Sequence, residues 1–307
     1  MHLTNGFVLF DLSQISFACS RYGHRQINEE MQLMKTLLTV LDINDQVNKL
    51  DPVIQYAQGN NAHLNIVALG VLPNVTMAVS PGVPAYQVHE LHKEIIQAGK
   101  EAVPRIETYL IDRDVRGSVV LEFADSALVE RAISRHASLS DATIFRPGNL
   151  TGPDSKARSF HGALLNSGRP VIIIDDQKSE LTSVEKVTLA WNGEDGAAKA
   201  MHHALAFFDQ LSEISIVVVD PRDHQTGPNP GDDVASFLAR RDLKVSVERL
   251  PSRQRDPMEV VFEHANDTGS DLVVMGALSR SRLSEWLLGS STRYAIENAK
   301  LPLFMAR

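Results

Sequence analysis

The sequence predicts an α/β protein made of two similar units in tandem, each with an open parallel sheet. Short apolar runs alternate with segments whose apolar residues recur at helical spacing, which is typical of parallel strands joined by crossover helices. The order of these elements repeats, because the second half of the chain follows the first element by element. Both halves also end alike, with an Asn-x3-Pro segment before the last strand at Asn166 and at Asn298. Ligands of such sheets bind at the carboxyl ends of the strands, so a site is expected there.

Five strands are predicted in each unit. In both units the first strand is followed by helical apolar spacing, which begins at Val47 in one copy and at Ala200 in the other. A further helix is predicted over 88–103. The matched strands are 37–42 with 187–192, 64–69 with 214–219, 117–123 with 245–250, 141–145 with 271–275, and 171–174 with 303–305.

These matches predict a first domain over 35–177 and a second over 185–307, joined by a polar, acidic linker at 175–185. The first domain carries an insertion at 73–84, whose prolines and glycine predict an extended loop. Residues 1–34 match neither copy. This N-terminal extension can be disordered, can add a helix, or can be upstream sequence before a later start at Met31 or Met34.

Composition narrows the class of partner. The net charge of −8 argues against a general nucleic-acid binder, because no basic stripe offsets repulsion from the phosphate backbone. No apolar run approaches the roughly 20 residues that cross a bilayer, and residues 1–20 lack the basic start of a signal peptide. The single cysteine, Cys19, excludes a disulfide framework within the chain and any Cys-rich metal site. A small-molecule partner and a cytoplasmic location are therefore expected.

The most informative segment lies between 271 and 307, with the spacing Gly276-x2-Ser279-x9-Gly289-Ser290-Ser291-Thr292. Gly276 ends an apolar strand where a side chain would block an approaching ligand. Gly289 opens a helix whose first turn offers free backbone N–H groups, hydroxyls and the positive end of the helix dipole. This arrangement suits a phosphate chain. An ordinary strand-to-helix connection with a good N-cap is the alternative interpretation.

These residues resemble the nucleotide loop of the universal stress protein family, Gly-x2-Gly-x9-Gly followed by Ser or Thr, with Ser279 at the second glycine. The resemblance implies a Rossmann-like, adenine-nucleotide-hydrolase-like fold whose two units pack as an internal pseudo-dimer. It further implies ATP, with Mg²⁺, in the second unit. The residues implied around the phosphates are Gly276, Ser279, Gly289, Ser290, Ser291 and Thr292.

The resemblance places the adenosine contacts at the ends of the first two strands of the second unit. Where the family typically has an aspartate, this chain has Asn192, followed by Gly193, and Val218 matches the position that borders the adenine. Val218 also suits a core strand. If the position of Ser279 needs a positive φ, its Cβ costs about 1–2 kcal/mol. Arg280 and Arg282 can compensate by pairing with phosphate oxygens, or can point into solvent.

The corresponding loop of the first unit departs from this pattern. Arg146-Pro147 replaces Gly276-Ala277, although Asp42 keeps the strand-end carboxylate. Gly152 and Gly162 preserve the nine-residue gap, but no hydroxyl follows Gly162. The loop is therefore predicted to be degenerate. This loop carries Arg146, Lys156 and Arg158. The favoured interpretation is that these basic side chains point into solvent, and the alternative is that they attract an anion.

The sequence thus predicts a stress-response protein that senses ATP or another adenine nucleotide. Slow ATP hydrolysis at most is expected, because no positioned general base is evident. No Ser-Gly-Gly-x-Asp-Ser loop follows either first strand, which disfavours an enzyme of the related hydrolase class. His89 and His92 have metal-pair spacing without an evident third ligand, so no metal site is predicted. The alternative function is a scaffold of the same family that binds no nucleotide. The sequence does not decide whether the protein binds a protein partner or whether the tandem chain forms a homodimer.

Overall fold

The computed structural model describes residues 35–73, 85–174, 183–221, 229–277 and 289–307. The N-terminal extension 1–34, nearly all of the 73–84 insertion and most of the 175–185 linker lie outside these residues. Residues Met34–Arg307 form one compact unit, because both predicted domains contribute to a single sheet. No helix in the described part of the chain has the length and apolar character needed to cross a membrane.

All ten strands predicted from the sequence are confirmed. Apolar runs that are buried on both faces mark the central strands, as expected for a parallel sheet covered by helices. The strands are β1 Thr36–Asp42, β2 His63–Leu72, β3 Gly117–Asp125, β4 Ala142–Phe145, β5 Val171–Ile173, β6 Lys186–Ala190, β7 Glu213–Val219, β8 Lys244–Leu250, β9 Leu272–Gly276 and β10 Leu303–Ala306.

Eight α-helices lie among the described residues, and the longest extends well beyond its predicted end. This helix, α2, passes through Pro104 although an interior proline costs about 3 kcal/mol. Ile106 and Leu110 are buried in the core beyond the proline, and their burial offsets that cost. The helices are α1 Asp51–Gly59, α2 Ala85–Ile111, α3 Val129–Ala137, α4 Ser155–Asn166, α5 Asp195–Phe207, α6 Asp232–Ala239, α7 Pro257–Asp267 and α8 Ser290–Asn298.

The sheet has ten strands in the order β3-β2-β1-β4-β5-β10-β9-β6-β7-β8. Within each half all neighbouring strands are parallel, and the order in the second half mirrors that in the first. The fold class predicted from the sequence, two open parallel-sheet units in tandem, is confirmed in this arrangement. We refer to residues 35–174 as the N-terminal half and to 183–307 as the C-terminal half.

The two halves meet where β5 runs antiparallel to β10, a contact that we call the seam. Leu303, Phe304 and Met305 pair there with Ile173, Ile172 and Val171. Phe304 is fully buried, and its ring centroid lies 5.8 Å from that of Phe207 and 5.2 Å from that of Phe208. Main-chain hydrogen bonds therefore join the two halves at the seam, and an aromatic cluster of the C-terminal half packs around Phe304 beside it.

Helices cover both faces of the sheet, which gives a three-layer α/β/α sandwich. Side chains of α1, α2, α5 and α6 pack into one hydrophobic cluster. Those of α3, α4, α7 and α8 pack into a second cluster. Each cluster draws residues from both halves, so each core runs the length of the sheet. Clefts open at the carboxyl ends of strands in both halves, the usual place for a ligand in an open parallel sheet.

Candidate functional site

A cleft of about 360 Å³ opens at the carboxyl ends of β6, β7 and β9, and we call it the C-terminal cleft. It lies where the chain connections diverge from β6 to either side, the usual place for a ligand in an open α/β sheet. Its size falls within the range of about 300–1,000 Å³ typical of small-molecule sites. The cleft is lined by Ala190, Trp191, Asn192, Glu194, Val217, Val218, Val219, Asp220, Pro221, Pro257, Met258, Val261, Met275, Gly276, Ser291 and Thr292.

Asn192 lines this cleft and lies two residues after the end of β6. Its side-chain oxygen accepts a hydrogen bond of 3.1 Å from the backbone N–H of Glu194, which fixes the turn into α5. Gly193 adopts the left-handed conformation with φ of 75°, so its role is to make this turn. Asn192 lines the cleft, whereas Gly193 does not.

The start of α8 presents one side of its first turn to the cleft. Gly289 is the N-cap residue, and its carbonyl accepts from the N–H of Arg293 at 2.9 Å. Ser291 and the buried Thr292 line the cleft, while Gly289 and the exposed Ser290 do not. The helical rotation of about 100° per residue explains why these neighbouring hydroxyl groups face different surroundings.

Gly276 lines the cleft but has a second role that the sequence did not indicate. A Cβ atom at this position would lie 2.5 Å from the Ala197 nitrogen and 2.5 Å from the Gly196 carbonyl carbon. Its φ is not in the positive range, so backbone conformation does not demand glycine here. The glycine is needed because α5 begins directly against the end of β9.

The apolar wall of the cleft comes from β7 and α7. Val218 is buried in β7, and Met258 and Val261 are buried on the first turns of α7. The side chain of Asp256 caps α7 by accepting from the N–H of Met258 at 2.8 Å. Val218 was expected from the family resemblance. Met258 and Val261 were not, because only the tertiary fold brings α7 beside β7.

Asp220 is a further lining residue that was not predicted. It follows β7 directly and adopts a left-handed φ of 47°, which is uncommon for a residue other than glycine. Its carboxylate accepts from the N–H of Ser252 at 2.9 Å, and its own N–H donates to the Leu250 carbonyl at 3.0 Å. Asp220 therefore ties the end of β7 to the loop after β8. Its position at the end of a strand was the sequence signal that could have identified it.

The charged residues among the described lining of the C-terminal cleft are acidic. Glu194 and Asp220 line it, and no lysine or arginine does among the residues that the structure describes. Ser279, Arg280 and Arg282 lie in the 278–288 segment, outside the described residues, so their predicted contacts stay predictions. Of the other predicted site residues, the cleft brings together Asn192, Val218, Gly276, Ser291 and Thr292.

A second cleft, of about 310 Å³, opens at the equivalent place in the first half, and we call it the N-terminal cleft. The sequence match between Gly162 and Gly289 was wrong about local structure. Gly162 lies within α4, where a Cβ would be 2.3 Å from the carbonyl oxygen of Glu130. It permits close packing of α4 on α3. Asp154 instead takes the place of Gly289 as N-cap residue, and its carboxylate accepts from the N–H of Ala157.

Comparison with known proteins supports the assignment of the fold. Residues 183–307 match the model of the Universal stress protein family. A universal stress protein from Archaeoglobus fulgidus DSM 4304 has 15% sequence identity and a TM-score of 0.62, with 89% of this chain and 98% of that chain covered. A candidate universal stress protein from Pseudomonas aeruginosa UCBPP-PA14 has 14% identity and a TM-score of 0.53, with 90% and 94% covered. No curated protein matches the sequence. At these identities the structural likeness shows the fold alone.

Proposed function

Because residues 183–307 form a domain of the universal stress protein family, we propose that the C-terminal cleft binds ATP or another adenine nucleotide as part of a stress response. The observation that carries the proposal is the convergence of Asn192, Val218 and Ser291 on one cleft at the carboxyl ends of the strands. These residues come from three separate elements, and the family resemblance singled out each of them.

The residues of the cleft fit the parts of an adenosine. Val218, Met258 and Val261 give an apolar wall of the kind that accommodates a flat base. The amide of Asn192 can both donate and accept, which suits the hydroxyl groups of a ribose. The first turn of α8, with Ser291 and Thr292, also lines the cleft, and a helix N-terminus favours negative charge.

The acidic residues that line the cleft disfavour a nucleotide whose phosphate charge is not neutralised. Glu194 and Asp220 would repel a bare triphosphate, so we expect Mg²⁺ to accompany it and reduce its charge. The role we propose is sensing of the nucleotide, with conversion of ATP slow at most. The N-terminal half is proposed to be a second unit of the same kind whose cleft has changed its chemistry.

Two adjacent serines in α8 provide a matched test. Ser291→Ala is expected to weaken MgATP binding by about three- to tenfold, because one hydrogen bond is worth about 0.5–1.5 kcal/mol. Ser290→Ala should change the affinity by less than about twofold, since Ser290 does not line the cleft. Isothermal titration calorimetry of the full chain with MgATP, ADP, AMP and adenosine would measure both. Equal losses for the two variants would contradict the proposed orientation of α8.

A second substitution is expected to act in the opposite direction. Asn192→Asp supplies the two acceptor oxygens that typical nucleotide-binding members of the family have, and should tighten MgATP binding. The matched control is Asp42→Asn, which makes the reverse change at the equivalent strand end of the N-terminal half. It should leave MgATP affinity unchanged. If the wild-type chain binds none of the four compounds, the nucleotide proposal fails and a scaffold role replaces it.

A further inference from the structure

The N-terminal cleft has a lining of opposite character to that of the C-terminal cleft. It lies at the carboxyl ends of β1 and β4, and three cationic side chains reach it, from Lys49, Arg146 and Lys156. Two carboxylates, those of Asp42 and Asp45, also line it. Cations therefore outnumber anions here, whereas both charged residues that line the described part of the C-terminal cleft are acidic.

The cations come from three different segments and are held at the cleft by backbone carbonyl groups. The Arg146 guanidinium donates to the Lys49 carbonyl at 3.3 Å, and the Lys156 ammonium donates to the Pro147 carbonyl at 3.1 Å. Lys49 is held instead by an ion pair with Asp45, four residues earlier in the chain. A lysine has three N–H donors, so Lys49 and Lys156 keep donors that can face a ligand.

Lys156 is not the solvated side chain that the sequence favoured. It is partly buried, and burial lowers the pKa of its ammonium group. The nearby charges of Arg146 and Lys49 lower this pKa further, although Asp154 and Asp45 act in the other direction. A bound anion would relieve this repulsion, so the clustering of cations favours a negatively charged ligand.

The shape of the N-terminal cleft indicates which chemical group a negatively charged ligand carries besides its charge. In the C-terminal cleft the base-sized apolar wall comes from β7 and α7. In the N-terminal cleft β2 contributes only Leu69, and α3 contributes no residue to the lining. At about 310 Å³ the cavity is near the lower limit of small-ligand sites. Among the described residues, the wall that β7 and α7 form in the C-terminal cleft therefore has no counterpart on β2 and α3 here, and the apolar lining lies instead on β1, β4 and the segment of Leu50 and Val53.

At the other end of the cleft stands Asp42, the last residue of β1. One of its carboxylate oxygens accepts from the N–H of Asn44 at 2.9 Å, as Asn192 does from Glu194 in the second half. A carboxylate with two acceptor oxygens in this position suits ligand hydroxyl groups. We propose that the N-terminal cleft binds a small phosphorylated polyhydroxy compound, whose phosphate pairs with Arg146 and Lys156 and whose hydroxyls face Asp42.

The test uses the full chain and isothermal titration calorimetry with ribose 5-phosphate, inorganic phosphate, ribose and AMP. Ribose 5-phosphate should bind more tightly than inorganic phosphate or ribose alone, and its binding should weaken as salt rises. Lys156→Met and Arg146→Met should each weaken it by at least about tenfold, because each removes a charge-assisted hydrogen bond. Arg158→Met is the matched control. It removes a positive charge from the same helix as Lys156, but Arg158 does not line the cleft, so the affinity should stay within about twofold.

Circular dichroism and thermal melting establish that each variant is folded, and Lys49→Met gives a further variant on a different segment. Phosphorus NMR of ribose 5-phosphate with the wild-type protein detects binding without any variant. Absence of both heat and spectral change at millimolar ligand would overturn the proposal, as would an equal loss in Arg158→Met. Tighter binding of AMP than of ribose 5-phosphate would overturn the assignment to ligands without a base.

The test of the N-terminal cleft can be distinguished from the test of the proposed nucleotide site, because the two use different variants. Ser291→Ala should leave ribose 5-phosphate binding unchanged, and Lys156→Met should leave MgATP binding unchanged. Loss of ribose 5-phosphate binding in Ser291→Ala alone would place the compound in the C-terminal cleft and refute the N-terminal assignment.

Discussion

Replacement of Phe304 by alanine is expected to lower the free energy of unfolding by about 3–5 kcal/mol, the range for a fully buried aromatic side chain. Phe304 lies in β10 at the centre of the seam and is 0% exposed. Its ring packs against Phe207 and Phe208 at the end of α5. The neighbouring strands hold the backbone on both sides, so the cavity left by the ring can collapse only in part.

Urea denaturation followed by circular dichroism measures this loss. Phe304→Leu keeps most of the volume and should lose clearly less stability than Phe304→Ala. Phe237→Ala is a control on the surface of α6, where the ring is only partly buried and stacks with Arg241. It should cost less than half as much as Phe304→Ala. Similar losses for the two alanine variants would show that the aromatic cluster at the seam contributes little.

Gly276→Ala is expected to destabilise the fold by about 1–3 kcal/mol, the typical cost of forcing extra atoms into a close-packed contact. Its Cβ would lie 2.5 Å from backbone atoms of Gly196 and Ala197, and backbone cannot move aside as a flexible side chain can. Gly276→Val, with two further methyl groups, should cost more. The stability of a Gly276 variant therefore measures the packing of α5 against β9, rather than the binding of a ligand.

The facing glycine, Gly196, gives a matched control across the same contact. A Cβ at Gly196 would have its nearest neighbour at 3.6 Å, an ordinary van der Waals distance. Because Gly196 lies in the first turn of α5, Gly196→Ala should leave stability unchanged or raise it by up to about 1 kcal/mol. Thermal melting separates the two variants, at roughly 1.5 °C per kcal/mol for a chain of this size. A loss in Gly196→Ala equal to that in Gly276→Ala would contradict this account of the contact.

The sequence was sufficient to predict the strands because each central strand is a short apolar run bounded by polar residues. It was less informative where one residue type serves different physical purposes. Gly162 and Gly289 occupy matching positions in the spacing pattern, yet Gly162 lies at a helix–helix contact and Gly289 caps a helix. The helix predicted over 88–103 stopped short of Pro104, but the burial of Ile106 and Leu110 carries α2 past that residue. Both outcomes depend on contacts between elements that are distant in sequence.

In the candidate site, too, local patterns could be read from the sequence, whereas contacts between distant elements could not. Ser291 was identified because the start of a helix is visible as a local pattern, and Asn192 because the family resemblance matched it to a strand-end position. Both line the cleft. Ser290 carries the same hydroxyl as Ser291 but faces away, which only the rotation of α8 determines. Met258 could not have been identified, because its place in the cleft depends on how α7 crosses the sheet beside β7.

The antiparallel pairing of β5 with β10 has a consequence for fragments of this protein. If the chain were cut between 174 and 183, each piece would keep its five strands but bare the backbone amides and carbonyls of its last strand. Such an exposed sheet edge can pair with a further strand. Co-expressed pieces should consequently reassemble into the intact sheet, and either piece made on its own should pair with a copy of itself.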